Sequence, residues 1–380
     1  MLYTVPDYYT KFKCLAGDCP ATCCAGWQIV IDEKSLMKYR KQDGTFGNRL
    51  INSVDWEEGT FLQYEDKRCA FLNEENLCDI HLEAGADMMC STCRKYPRHI
   101  EVFANEREIS LSMSCPMAAE LILKKKEPVT FVQREDKKED PEDEEFDFFL
   151  YSALQDSRKF MIEILQNREE SIYLRMAKIL ALGHDIQNRI NARRMFEIQK
   201  LLDRYQKPGA EKKLAEKILK GGKKTENLGK MEIQRSLIGM LDQLEVLDGD
   251  WDWDCKNWIH RWNAKIETQE ANLGTDACKF IPETEIEQMA VYFLFTYFCG
   301  AVYDGDVLAK VKMTVYSTLV WEAICQVSSQ DRIEIARRYS RELEHSDPNL
   351  NRIEELMNTR AEVGVEILMD FLAYMAQMQR

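Results

Sequence analysis

CLAGDCPATCCAGW, residues 14–27, sets four cysteines into one short stretch, as Cys14-x4-Cys19-x3-Cys23-Cys24. Three more groups follow. CAFLNEENLCDIH carries Cys69-x8-Cys78 with His81 behind it, CSTCRKYPRH carries Cys90-x2-Cys93, and the step Cys115-Pro116 closes the series. Nine of the thirteen cysteines thus fall between residues 14 and 115, while Cys255, Cys278, Cys299 and Cys325 are scattered through the rest. Short spacings let one loop present several soft thiolates to one metal, so the pattern points to zinc or an iron–sulfur centre. Zinc sites usually pair two Cys-x2-Cys knuckles, and only Cys90-x2-Cys93 qualifies. Irregular spacing and a Cys-Pro step favour an iron–sulfur cluster, 4Fe-4S in form, with zinc as the alternative. Adjacency constrains Cys23-Cys24. Side chains of consecutive extended residues point to opposite sides, so one thiol is expected at one centre and the other at a second centre or packed beneath it. The four scattered cysteines are expected to be small buried hydrophobes. His81 and His99 are read as ordinary side chains before ligands.

Outward from this stretch, glycines punctuate residues 1–125 and apolar periodicity is poor, which predicts loops and short helices held by ligand bonds. One helix is expected after Cys115-Pro116, in MAAELILKKK. Residues 126–147 include REDKKEDPEDEEFD, almost wholly charged, and read as an exposed linker. From Phe148 onward, apolar residues recur at spacings of three and four, as in FFLYSALQDSRKFMIEILQN, and strand-like alternation is rare. The expected fold is mainly α: an irregular cysteine-rich metal-binding domain over 1–125, a charged linker over 126–147, and an all-α domain over 148–380.

Charge and hydropathy narrow the function. A net charge of -14 repels phosphate backbones, so nucleic acid is not an expected partner. MLYTVPDYYTKFKC has no basic region followed by an apolar stretch, so no secretory signal is read. The apolar run Met289–Tyr303 falls short of the about 20 residues of a membrane span and predicts a buried helix. A cytoplasmic, reducing setting follows, where disulfides are disfavoured and clustered thiols need another reason. In LDGDWDWDCKNWIHRW, the aspartates lack the glycine and glutamate positions of a calcium loop, and Trp258 and Trp262, one helical turn apart, are expected in the core. No hydrolase triad, phosphate loop, Gly-rich dinucleotide turn or Cx3Cx2C radical signature is present.

The ordered series Pro6, Tyr9, Phe12-x-Cys14, Cys19, Cys23-Cys24, Trp27, Asp32, Cys69-x-Phe71-Leu72, Cys78-x-Ile80-His81, Thr92-Cys93-Arg94-x-Tyr96-Pro97-Arg98 and Leu111-Ser112-x-Ser114-Cys115-Pro116 resembles the flagellin lysine-N-methylase family, the FliB proteins. The same core is similar to small CxxCxxCC proteins described as zinc- or iron-chelating. The motif match spans residues 5–123, and the remainder agrees in helical character and length alone. The resemblance implies methyl transfer from S-adenosylmethionine to lysines of flagellin, assisted by an iron–sulfur centre. It implies Cys14, Cys19, Cys23, Cys24, Cys69, Cys78, Cys93 and Cys115 as metal ligands. Cys90 departs from the pattern, where serine is expected. No residue is marked as base or donor site; the donor contacts are expected at the junction of the two domains. The competing class is a non-catalytic zinc- or iron–sulfur-binding protein.

Overall fold

The computed structural model describes residues 1–136, 146–221, 227–268 and 281–378. Six strands form in the first third: β1 (Leu2–Pro6), β2 (Val54–Asp55), β3 (Thr60–Phe61), β4 (Arg98–Phe103), β5 (Glu106–Leu111) and β6 (Phe131–Glu135). Four make one sheet in the order β4-β5-β1-β6. β4 and β5 are an antiparallel hairpin, β1 runs parallel to β5, and β6 runs antiparallel to β1. This corrects the expectation that residues 1–125 lack regular structure beyond loops and short helices. The reason is that these strands bury polar groups: Glu108 and Ser110 of β5 face the helices from within the core, which hides the apolar alternation of a half-buried strand. β6 lies inside the stretch read as a linker. Its residues Val132–Glu135 are exposed, and charged side chains are what an edge strand carries to block further pairing. Residues 137–145 of that stretch lie outside the described residues.

Past Phe146 the described residues are helical, with no strand among them. Phe148–Leu165, Ile172–Asn191, Glu283–Tyr297, Val307–Val327, Arg332–Glu344 and Val365–Met378 make the main body. Glu283–Tyr297 and Val307–Val327 sit at its centre. Both are buried around nearly their whole circumference, as helices without a polar face must be. Asp306 caps the second, accepting from the Ala309 amide at 3.0 Å. The apolar run from Met289 therefore enters a buried helix, as expected; it continues beyond Tyr297 through a tight turn and ends at Gly305, which adopts φ +72°. No described helix is long and apolar enough to cross a membrane.

Two apolar cores organise the chain. The main one joins Phe103, Leu111, Met113, Cys115 and Ile122 to the helical body. The second is small and separate, built from Ile29, Ile31, Tyr39, Leu50, Phe61, Phe71, Ile80, Cys69 and Cys90. A buried ion pair fastens sheet to helices: Arg158 grips both oxygens of Glu108 and donates to the Phe295 carbonyl at 2.9 Å. Cys255, Cys299 and Cys325 are buried as expected, and Cys278 lies outside the described residues. Trp258 and Trp262 are buried, the latter donating to the Ala323 carbonyl at 3.3 Å.

Candidate functional site

Local backbone features place the cysteines. The Cys24 carbonyl accepts from the Cys69 amide at 2.8 Å, and Leu72 bridges to Cys78. Cys78 and Cys90 stand at the N-caps of the short helices Asp79–Ala84 and Ser91–Lys95, and the second helix carries Cys93. Asp32 holds that helix start by accepting from the Ser91 amide at 2.6 Å and the Ser35 amide at 3.0 Å. Although burial works against its charge, these bonds leave the Asp32 carboxyl below its usual range. Cys24, Cys69, Cys78, Cys90 and Cys93 all pack in the small apolar core. Burial pushes the Cys69 thiol up to about 12 and raises Cys78. A thiol–thiol hydrogen bond lowers Cys90 and raises Cys93.

The other four lie outside that core. Cys14 is exposed and accepts from the Ala16 amide at 3.3 Å, and Cys19 donates to the Ala21 carbonyl at 3.3 Å. Cys115 is the N-cap residue of the helix Pro116–Leu123 and belongs to the main core. Its thiol is raised first by burial and then by the nearby Cys19 and Cys14; Cys23 is raised by its bond with Cys24, by burial, and by Cys14 and Cys115. The bond from Cys23 also holds Cys24 down at about 7, aided by Thr22 and Arg68. This corrects the expectation that Cys23 and Cys24 point apart. Both sit in a turn, and the alternation of side chains applies only to extended backbone.

His81 is exposed, and His99 pairs with Glu101 at 2.6 Å. Burial alone would depress the His99 imidazole, but the bond and charge of Glu101, with Glu344 beyond, leave it raised. Among the described residues, no three His, Cys, Asp or Glu side chains converge on a point able to hold a metal ion. All nine N-terminal cysteines are free thiols, soft donors of the kind that zinc and iron–sulfur units take.

Beside Cys115, the sheet meets the end of the helix Arg332–Glu344 in a buried polar junction. Glu344 accepts from Ser112 at 2.6 Å, from Ser340 at 2.8 Å and from the Tyr292 hydroxyl at 2.7 Å. Ser112 and Ser114 are hydrogen-bonded at 2.7 Å, and Ser114 also meets His345 Nε2 at 2.9 Å and the Tyr96 hydroxyl at 3.2 Å. The His345 ring lies against Trp27, centroids 4.5 Å apart, and Trp27 donates to the Cys23 carbonyl at 2.8 Å. Arg341 crosses Gly26 to reach the Ala25 carbonyl at 3.4 Å. Gly26 has φ +82°, and a Cβ there would sit 1.5 Å from the guanidinium, so glycine is what allows this approach.

Burial and neighbouring charges fix the protonation of the junction's histidine and tyrosines. Burial, then the Arg341 and Arg337 charges, depress the His345 imidazole to about 4, so it stays neutral near pH 7. Its Nδ1 is buried without a hydrogen-bond partner among the described residues. Burial and Glu344 keep the Tyr292 and Tyr297 protons in place. The resemblance singled out Trp27, Tyr96, Ser112, Ser114 and Cys115, and the structure gathers all five here. Tyr292, Glu344 and His345 were not legible, because each lies on a helix whose local pattern says nothing about what faces it. Away from the junction, a concavity of about 690 Å³ opens between β6 and the helix Phe148–Leu165. Two of the carboxylates that line it are engaged, Glu106 by Gln155 and Tyr151 and Glu108 by Arg158.

Residues 158–366 match the family model of the FliB lysine N-methylase C-terminal domain. A lysine-N-methylase of Salmonella typhimurium is 30% identical over 129 residues, covering 32% of this chain and 32% of that protein. The flagellar biosynthetic protein FliU of Salmonella muenchen is 32% identical over 129 residues, 32% of this chain and 76% of its own. A lysine-N-methylase of Salmonella choleraesuis is 30% identical over the same length. The match thus spans about a third of the two lysine-N-methylases. No solved structure matches the chain.

Proposed function

Because this chain belongs to the FliB lysine N-methylase family, we propose that it methylates lysine side chains of a protein substrate, flagellin first among them, with S-adenosylmethionine as donor. In the transfer, the lysine nitrogen forms a bond to the methyl carbon, the carbon–sulfonium bond breaks with its electrons passing to sulfur, and the lysine proton goes to a base. The observation that carries this reading is the family match; the polar junction adds the chemistry it needs. A lysine ammonium must lose its proton before it can attack, and a desolvated place beside an acceptor achieves that. Glu344 is the acceptor at the junction, held by Ser112, Ser340 and Tyr292, and the neutral His345 beside it adds no positive charge to repel an incoming ammonium. Trp27 and Tyr96 flank His345 with aromatic surface, which suits a cationic side chain arriving there.

An iron–sulfur cluster, with zinc as the alternative, would be held by thiolates drawn from Cys14, Cys19, Cys23, Cys24, Cys69, Cys78, Cys93 and Cys115. When bound, such a centre supplies redox-active iron and ties the cysteine loops into one frame. The chain's own contribution is to position Trp27 and the Cys23 loop against His345, through Arg341 and Gly26.

The test is incubation of anaerobically purified, metal-replete protein with flagellin and isotope-labelled S-adenosylmethionine, followed by mass spectrometry of the lysines. Labelled methyl groups on lysine are expected. Unmodified lysines, with metal content verified, would overturn the proposal and leave the non-catalytic metal-binding reading.

A further inference from the structure

Two nitrogen atoms at the junction, Arg341 Nε and His345 Nδ1, are buried without a hydrogen-bond partner among the described residues. Orphans of this kind are rare in folded proteins and mark a place where a partner belongs. These two belong together. The His345 amide bonds to the Arg341 carbonyl at 3.2 Å, so their side chains leave the end of the helix Arg332–Glu344 one turn apart on the same face. Both lie against the segment Ala25–Trp27: Arg341 at the Ala25 carbonyl and over Gly26, His345 against the Trp27 ring. Both side chains remain partly exposed, which leaves a way in from solvent. Arg341 also lacks a close counter-ion. Its helix neighbours are paired, Arg337 with Glu334 and Arg338 with Asp254, whereas no carboxylate forms an ion pair with Arg341 among the described residues. Asp248 and Glu342 act on it only from farther off, and its bond to Ala25 is long at 3.4 Å. A guanidinium so placed suits an anion, a carboxylate above all, because its planar fork matches the two oxygens.

His345 offers the complementary group, and the hydrogen-bond network assigns its tautomer. Ser112 gives its one hydroxyl proton to the Glu344 carboxylate at 2.6 Å. Ser114, 2.7 Å from Ser112, must then donate to Ser112. With its own proton committed, Ser114 accepts from His345 Nε2 at 2.9 Å and from the Tyr96 hydroxyl at 3.2 Å. The imidazole proton therefore sits on Nε2, and Nδ1 presents a bare lone pair. A cation and a lone pair one helical turn apart fit a ligand that carries a carboxylate and an ammonium on one carbon. We propose that this is the site for the amino-acid end of the methyl donor: Arg341 takes the α-carboxylate and His345 Nδ1 accepts from the α-ammonium. The inference rests on the reading of S-adenosylmethionine as donor. It brings the donor to the side of Glu344, and the aromatic faces of Trp27 and Tyr96 lie where a sulfonium and a lysine amine have to meet. Ser112 and Ser114 are positioning residues, since they act by holding the tautomer.

The test is calorimetric binding to the full chain, purified anaerobically with its metal content verified and without flagellin present. Two probes are compared, S-adenosylmethionine and its decarboxylated form, which keeps the sulfonium and the amine. The unaltered protein is expected to bind the first more tightly by on the order of tenfold or more, the worth of a charge-assisted carboxylate contact. Arg341→Met should weaken S-adenosylmethionine by a similar factor and leave the decarboxylated probe unchanged, so that the preference disappears; Arg341→Lys should restore part of it. Equal weakening of both probes would mean that Arg341 acts only on the fold, and would overturn the proposal. If Arg341→Met does not fold, the unaltered protein decides alone: equal affinity for the two probes would overturn the proposal. In that event methylation of flagellin by the same preparation would leave the activity reading standing. An unaltered protein that binds neither probe would remove the donor reading and this site with it.

Discussion

Burial keeps the His345 imidazole neutral at a cost that acid reveals. Its ordinary value of 6.5 is depressed to about 4 in the folded protein. Between those values the unfolded chain binds a proton that the folded chain refuses, so stability is fully present above pH 6.5 and declines as pH falls towards 4. A shift of this size corresponds to on the order of 3 kcal/mol. His345→Gln should flatten that part of the stability–pH curve while keeping a hydrogen-bonding partner for Ser114. Denaturant unfolding of both proteins across pH 4–7 measures it, and parallel curves would mean that His345 is not the buried neutral group described above.

Among elements, the sheet and the helical body are joined by groups that leave no margin for single replacement. Arg158 on the helix Phe148–Leu165 and Glu108 on β5 are both buried, and neither has water to fall back on. Removing one charge strands the other in a low-dielectric place, so Glu108→Leu should destabilise by about 3–5 kcal/mol. The paired replacement Glu108→Leu/Arg158→Met removes both charges and should recover most of that loss. Thermal unfolding of the three variants decides it: if the double variant is as weak as the single one, the pair contributes through shape and not through charge. The strand order carries its own lesson. β1 and β5 are parallel neighbours although about a hundred residues separate them, a non-local contact that carries a loop-closure entropy cost.

For the whole molecule, the net charge of -14 sets how a lysine-rich partner arrives. An acidic surface draws a basic substrate by steering, and salt screens that field over about 8 Å at physiological ionic strength. Under the proposed activity, methylation at low substrate concentration should fall by on the order of tenfold as salt rises from about 0.05 to 0.5 M, with little change at saturating substrate. A rate that ignores salt at low substrate would show that the acidic surface plays no part in encounter. The same scale reveals where family membership is written. The motif resemblance rested on residues 5–123, whereas the family model matches residues 158–366. The two signals cover different parts of the chain, and the junction of Ser112, Ser114 and Cys115 with Glu344 and His345 is where they meet in space.

By itself, the sequence determined whatever is local. Spacings of three and four from Phe148 onward were enough for a helical body, because a helix satisfies its own backbone and needs only one stripe of apolar side chains to declare itself. The density of thiols between residues 14 and 115 marks a run of soft donors, because softness is a property of the side chain and not of its neighbours. Burial of Trp258, Trp262, Cys255, Cys299 and Cys325 was legible in the same way. Only the tertiary structure decided the rest. The strands escaped notice because a strand's hydrogen bonds belong to another segment, and because β5 hides its alternation behind a buried carboxylate while β6 wears the charges of an edge. The convergence of Tyr292, Glu344 and His345 on Ser112 and Ser114 joins positions more than 170 residues apart. That five of the nine N-terminal thiols pack in the small core and Cys115 in the main one is likewise a matter of packing, which is settled by contacts that no spacing along the chain records.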